Sequence, residues 1–154
     1  MRLRLLQIVL LMAGCSGLGP MDGPSFAPIT PVPANKATVY VYYPAKVHMF
    51  SQWAEVFLNG EKKFNLGNSG YGVFTLPPGE YEIKVEGDPW QTNWAKFPAI
   101  RMLAVEAGRE YYVRVFIVQK SGPLLSAGIN SYTQITLVPK EQALKEIAET
   151  SLHQ

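Results

Sequence analysis

One cysteine and two histidines stand in a chain of 154 residues, and this scarcity removes whole classes of chemistry. A single thiol cannot close a disulfide within the chain. A zinc site takes three or four His, Cys or carboxylate ligands, and only His48 and His153 offer imidazoles. A Ser-His-Asp set would have to use His48, which sits beside Met49 and Phe50 in a stretch between strands. Charge of one sign is missing too: 14 Lys and Arg stand against 12 Asp and Glu. Such a balance gives no basic field to hold nucleic acid. No apolar run reaches the about twenty residues that cross a bilayer as a helix. Together these absences lead us to expect a protein that catalyses nothing, with no cofactor, no metal and no nucleic-acid partner.

What is present begins at the first residues. Arg2 and Arg4 precede Leu5 to Ala13, an apolar stretch of roughly nine residues with the build of a secretory signal. Leu11-Met12-Ala13-Gly14-Cys15 ends it and resembles the lipobox of bacterial lipoproteins. In that family the thiol is diacylglycerated, the peptide is cut before the cysteine, and the new amine is acylated. The resemblance implies a signal peptide over 1–14, cleavage between Gly14 and Cys15, and a lipid on Cys15. Loss of Arg2 and Arg4 would leave 12 basic residues against 12 acidic ones, so the mature chain would be near neutral. Each buried acyl methylene contributes about 0.8 kcal/mol, so several chains hold firmly where one holds marginally. The family sorts its products partly by the next residue, here Ser16. An aspartate there favours inner-membrane retention; serine implies the outer membrane, facing the periplasm.

Residues 16 to about 35 read as a tether. Gly17, Gly19, Pro20, Gly23, Pro24, Pro28, Pro31 and Pro33 break any helical or alternating period. If extended, such a stretch reaches about 50 Å. From residue 36 the pattern turns to β. Ala37 to Tyr43 is β-branched and aromatic, and it stops at Pro44. Trp53 to Leu58 leads into Asn59-Gly60, the strongest short hairpin signal, and Glu61 to Leu66 returns. The glycine-rich run Gly67 to Gly72 lacks the lysine of a phosphate loop and reads as a hairpin turn. Tyr71 to Leu76 follows, then the turn Pro77-Pro78-Gly79. Glu80 to Glu86 alternates, with Tyr81, Ile83 and Val85 on one face and four charged residues on the other. Its glutamates could pair for acid–base work, but Lys84 interrupts the row as on a solvated face. Ile100 to Val105, Arg109 to Val118 and Tyr132 to Val138 complete eight strands. Apolar on both faces, Arg109 to Val118 is expected inside a sheet, with Tyr111, Val113, Val115 and Ile117 along one buried side.

Eight short, mainly antiparallel strands argue an all-β fold, a single β-sandwich over 36–154. A short helix is expected from about 139. Pro139 suits its first position, and Leu144, Ile147, Ala148 and Leu152 fall on one stripe. Glu141 and Lys145 are spaced as an i, i+4 ion pair.

The order of these signals resembles known families. Val56-x-Leu58-Asn59-Gly60 followed by Leu76-Pro77-Pro78-Gly79-Glu80-Tyr81-x-Ile83-x-Val85 resembles the hairpin signature of PEGA-type domains. With Ala37 to Tyr42 before it and Ala107 to Val113 after it, the stretch from 36 to 138 resembles a lipoprotein family known as domain of unknown function 2846. The resemblance implies a PEGA- or transthyretin-like sandwich and a place at the cell envelope, and no reaction.

One loop carries a sharper signal. Asp88-Pro89-Trp90-Gln91-Thr92-Asn93-Trp94 sets two indole rings four residues apart among hydrogen-bonding groups. Trp90 and Trp94 could stack on sugar rings while Asp88, Gln91 and Asn93 take hydroxyls, or they could anchor a protein interface. Folded inward, the same rings would plug the sandwich, since a tryptophan buries about 150–250 Å². The expected partners are therefore the membrane, through the lipid, and an envelope protein or a glycan.

Overall fold

The computed structural model describes residues 23–44, 54–87, 98–119 and 131–152. It is a sandwich of two sheets with one helix, as expected, and contains nine strands among these residues. In chain order they are β1 (Ala37–Tyr43), β2 (Ala54–Leu58), β3 (Glu61–Leu66), β4 (Gly70–Leu76), β5 (Gly79–Gly87), β6 (Ala99–Val105), β7 (Glu110–Gln119), β8 (Ser131–Val138), α1 (Lys140–Ile147) and β9 (Ser151–Leu152). The larger sheet runs β8-β7-β1-β4-β9 and the smaller one β3-β2-β5-β6. All pairs are antiparallel except β1 with β7 and β4 with β9.

The turns follow local chemistry. Asn59 and Gly60 both take positive φ, 50° and 81°, as a two-residue hairpin requires, and Asn59 Oδ1 accepts the Glu82 amide at 2.9 Å. The glycine-rich turn after β3 is not a hairpin: β3 and β4 belong to different sheets, so the chain crosses the sandwich there. Gly72 explains the crossing. A methyl group on it would meet the Phe64 ring at 2.3 Å, so β4 passes under that ring only with glycine. Phe64 then packs on Phe74, with centroids 5.4 Å apart.

Strand alternation divides β1 between two layers. Ala37, Val39, Val41 and Tyr43 face the smaller sheet. There they meet Val56, Leu66, Ile83, Val85, Leu103, Val113 and Val115, all buried. Tyr111 packs against this core as expected, and the Ile117 side chain lies outside the described residues. Burying one such aliphatic side chain contributes about 1.5–3 kcal/mol. On the opposite face of the larger sheet, Tyr40, Tyr42, Tyr71 and Tyr112 form a second layer with Val138, Ala143 and Ile147.

Two covers close that tyrosine layer. The first is α1, which presents Ala143, Leu144 and Ile147. The expected stripe was too long. The Thr150 amide and Oγ1 both donate to the Ile147 carbonyl, at 2.9 and 2.7 Å, which stops the helix. Ala148 is exposed, and Leu152 lies in β9, beside β4. Pro139 precedes the helix instead of opening it. Glu141 and Lys145, both exposed, form no ion pair among the described residues.

The second cover is the described end of the expected tether. Residues 23–29 do not hang free. Ser25 bridges Ser151, the Phe26 amide donates to the Thr150 carbonyl at 3.0 Å, and the Leu152 amide donates to the Pro24 carbonyl at 2.9 Å. Phe26 packs edge-on against Tyr40 and Tyr71, with centroids 5.5 and 5.2 Å away. Proline and glycine make a strap here, not a leash. A methyl group on Gly23 would strike the Leu152 carbonyl oxygen at 2.1 Å, so the strap can seat this closely only without a side chain.

Candidate functional site

Between α1 and the uncovered part of the tyrosine face lies a groove of about 450 Å³, within the size range of small-molecule sites. Cross-strand pairing builds its floor. Arg114 of β7 stands opposite Thr136 of β8, and Phe116 opposite Gln134, so four side chains form one patch. Pro44 closes one end, and Lys145, Glu146 and Glu149 form the helix-side wall.

Glu146 organises the site. Its Oε1 accepts from Arg114 Nη1 at 2.9 Å and from Gln142 Nε2 at 2.8 Å. Its Oε2 accepts from the Tyr42 hydroxyl at 2.7 Å. Desolvation alone would raise its carboxyl, but the bonds from Tyr42, Gln142 and Arg114 outweigh it and hold the group below its ordinary range. Tyr42 is fully buried. Burial first, then donation to Glu146, pushes its hydroxyl far above the ordinary 10.0. Helix and sheet are thus joined by one charged network, helped by an ion pair from Lys140 to Glu110 at the helix start.

With Glu146 fully engaged, the groove's free valences lie elsewhere. Arg114 Nε is buried without a hydrogen-bond partner. Lys145 and Glu149 line the wall without an ion pair among the described residues. The groove can therefore hold a polar group against an aromatic and a proline ring. Among the described residues no cluster of three or more His, Cys, Asp or Glu could hold a metal ion. No described helix is long and apolar enough to cross a membrane.

The groove's described lining contains different residues from those expected from sequence. Gly14 and Cys15, the loop with Asp88, Trp90, Gln91, Asn93 and Trp94, and also His48, Trp53 and His153 all lie outside the described residues. Arg114 was missed. Its signal was a lone guanidinium inside Val113-Arg114-Val115, a charge that a doubly covered strand keeps only beside a partner.

No curated protein matches the chain. The profile of a protein family does match, over residues 33–128, a stretch that runs from before β1 into the connection ahead of β8. The strap, β8, α1 and β9 fall beyond it. The match takes in more than half of the chain, and the sandwich agrees with the fold expected from the same strand order: the chain belongs to the family described as protein of unknown function DUF2846.

Proposed function

We propose that this chain is a lipid-anchored accessory protein of the bacterial envelope, facing the periplasm and acting by binding or supporting a partner. The observation that carries the reading is the strap. If Cys15 bears the lipid, only residues 16–22 separate it from Gly23, where the chain is already built into the sheet. At about 3.3–3.6 Å per residue, that span allows roughly 25 Å. The domain would then sit against the membrane surface, close enough for the anchor to limit its orientation. Coupling of this kind suits a protein that positions a partner, because tilting the domain strains the strap. The groove beside α1 supplies a polar surface on the same face of the larger sheet.

Metabolic labelling with a fatty acid and detergent partitioning of the full chain test the reading. Wild type is expected to take the label and stay with membrane, while Cys15→Ala loses both, since no other thiol exists. Labelling and partitioning that persist in Cys15→Ala would overturn the anchor.

A further inference from the structure

We propose that the outer face of the smaller sheet is a docking surface for a partner segment that carries apolar anchors flanked by lysine or arginine. The surface starts with two side chains that a sandwich normally keeps inside. On β6, Ile100 is 57% exposed and Met102 is 62% exposed. They sit two residues apart, on the outer face, on a strand at the end of its sheet. Outer faces of sandwiches alternate to polar residues, and edge strands are usually blunted by lysine, proline or a bulge. This strand presents isoleucine and methionine on its outer face, while its one charged residue, Arg101, alternates to the other face. Methionine adapts its shape readily and recurs on binding surfaces.

Charge decides which partner fits. The strand register sets Met102 opposite Glu82, Ala104 opposite Glu80 and Ile100 opposite Lys84. Lys84 is already engaged: its Nζ pairs with Glu86 and lies 4.4 Å from the Phe57 ring centroid. Lys62 is paired with Glu55. Glu80 and Glu82 form no ion pair among the described residues. The face therefore has an apolar stripe bordered by two uncompensated carboxylates, on a chain that is otherwise close to neutral. A second copy would bring these carboxylates against themselves, and an anionic bilayer would be repelled. A cationic amphipathic segment meets both features at once. The surface is independent of the lipid anchor and of the groove.

The test uses the full chain with methyl NMR on Ile100 and Met102. The probes are a peptide of alternating leucine and lysine and one of the same length in leucine and glutamate. The lysine peptide is expected to shift both methyl signals saturably and more weakly as salt rises. Glu80→Gln with Glu82→Gln should weaken it about fivefold, the worth of two partly exposed charge pairs. Ile100→Lys with Met102→Lys should weaken it at least about tenfold and leave the melting temperature near wild type, because both side chains are exposed. Three results would overturn the proposal: no methyl shift with the lysine peptide, equal shifts with the glutamate peptide, or undiminished affinity in the Ile100→Lys, Met102→Lys variant.

Discussion

β1 separates two regions that are built by different physics. Its odd residues, Val39 and Val41 among them, enter a mainly aliphatic core between the sheets. Its even residues, Tyr40 and Tyr42, enter a layer of tyrosines on the other side. Aliphatic burial needs only shape and exclusion of water. A buried tyrosine needs a partner for its hydroxyl as well. Tyr40 accepts the Ile29 amide at 2.7 Å and stacks on Tyr112 at 5.1 Å, and Tyr42 donates to Glu146. The hydroxyl partners, the Ile29 amide and Glu146, come from the strap and from α1, outside the stretch matched by the family. The outer layer carries both covers, the strap and α1, and the groove beside them.

Breaking the inner layer should have the largest effect. Val113 is fully buried against the smaller sheet, so Val113→Asp places an unpaired carboxylate among aliphatic groups. The expected loss is several kcal/mol, a large share of what holds a small domain. Thermal melting measures it, and a melting temperature equal to wild type would refute the layer. The outer layer should break more gently. Phe26 is only half-buried, so Phe26→Ala should cost about 2–3 kcal/mol, below the 3–5 of a fully buried ring. Hydrogen exchange separates the two regions. In Phe26→Ala the Leu152 amide, bonded to Pro24, should exchange faster while β7 stays protected. Uniform loss of protection would mean that the layers unfold as one.

The same division explains how much could be read from residues alone. All eight longer strands were legible to within one or two residues, because β-branched and aromatic content, alternation or turn chemistry marks each of them. β9 was not: two residues, Ser151 and Leu152, cannot display a period. The strap hid behind its own composition, since Gly23, Pro24 and Pro28 read as a tether whether free or docked. Phe26 and Ile29, isolated apolar residues among prolines, were the available hint. The groove was illegible for another reason. Arg114 and Glu146 lie 32 residues apart, and nothing local to either announces the other. Burial of an arginine flanked by valines only implies that some carboxylate exists; the register of α1 on the sheet decides which one.

A pH series sharpens the comparison with the smallest perturbation. Burial raises Tyr40, Tyr42, Tyr71 and Tyr112 of the outer layer above the ordinary 10.0, and pushes Tyr43 of the inner core up to about 12. Above pH 10 the unfolded chain releases these protons while the folded chain keeps them. Their stabilisation is therefore complete below about pH 10 and falls as pH rises further. Glu146 acts in the opposite sense. Its folded value lies below the ordinary 4.5, so its contribution is complete above that pH and is lost as pH falls through the folded value. Between these limits the five tyrosines and Glu146 should leave the melting temperature flat. Tyr42→Phe links the two limbs, because its hydroxyl is a donor that lowers Glu146. Without it the Glu146 carboxyl should protonate at higher pH, so the acid decline, which still sets in near the ordinary 4.5, should be smaller and end at higher pH. The alkaline decline should become shallower by one tyrosine. Melting curves across pH, read beside tyrosinate absorbance, check both limbs. An acid limb unmoved in Tyr42→Phe would show that Arg114 and Gln142 hold Glu146 without help from the Tyr42 hydroxyl.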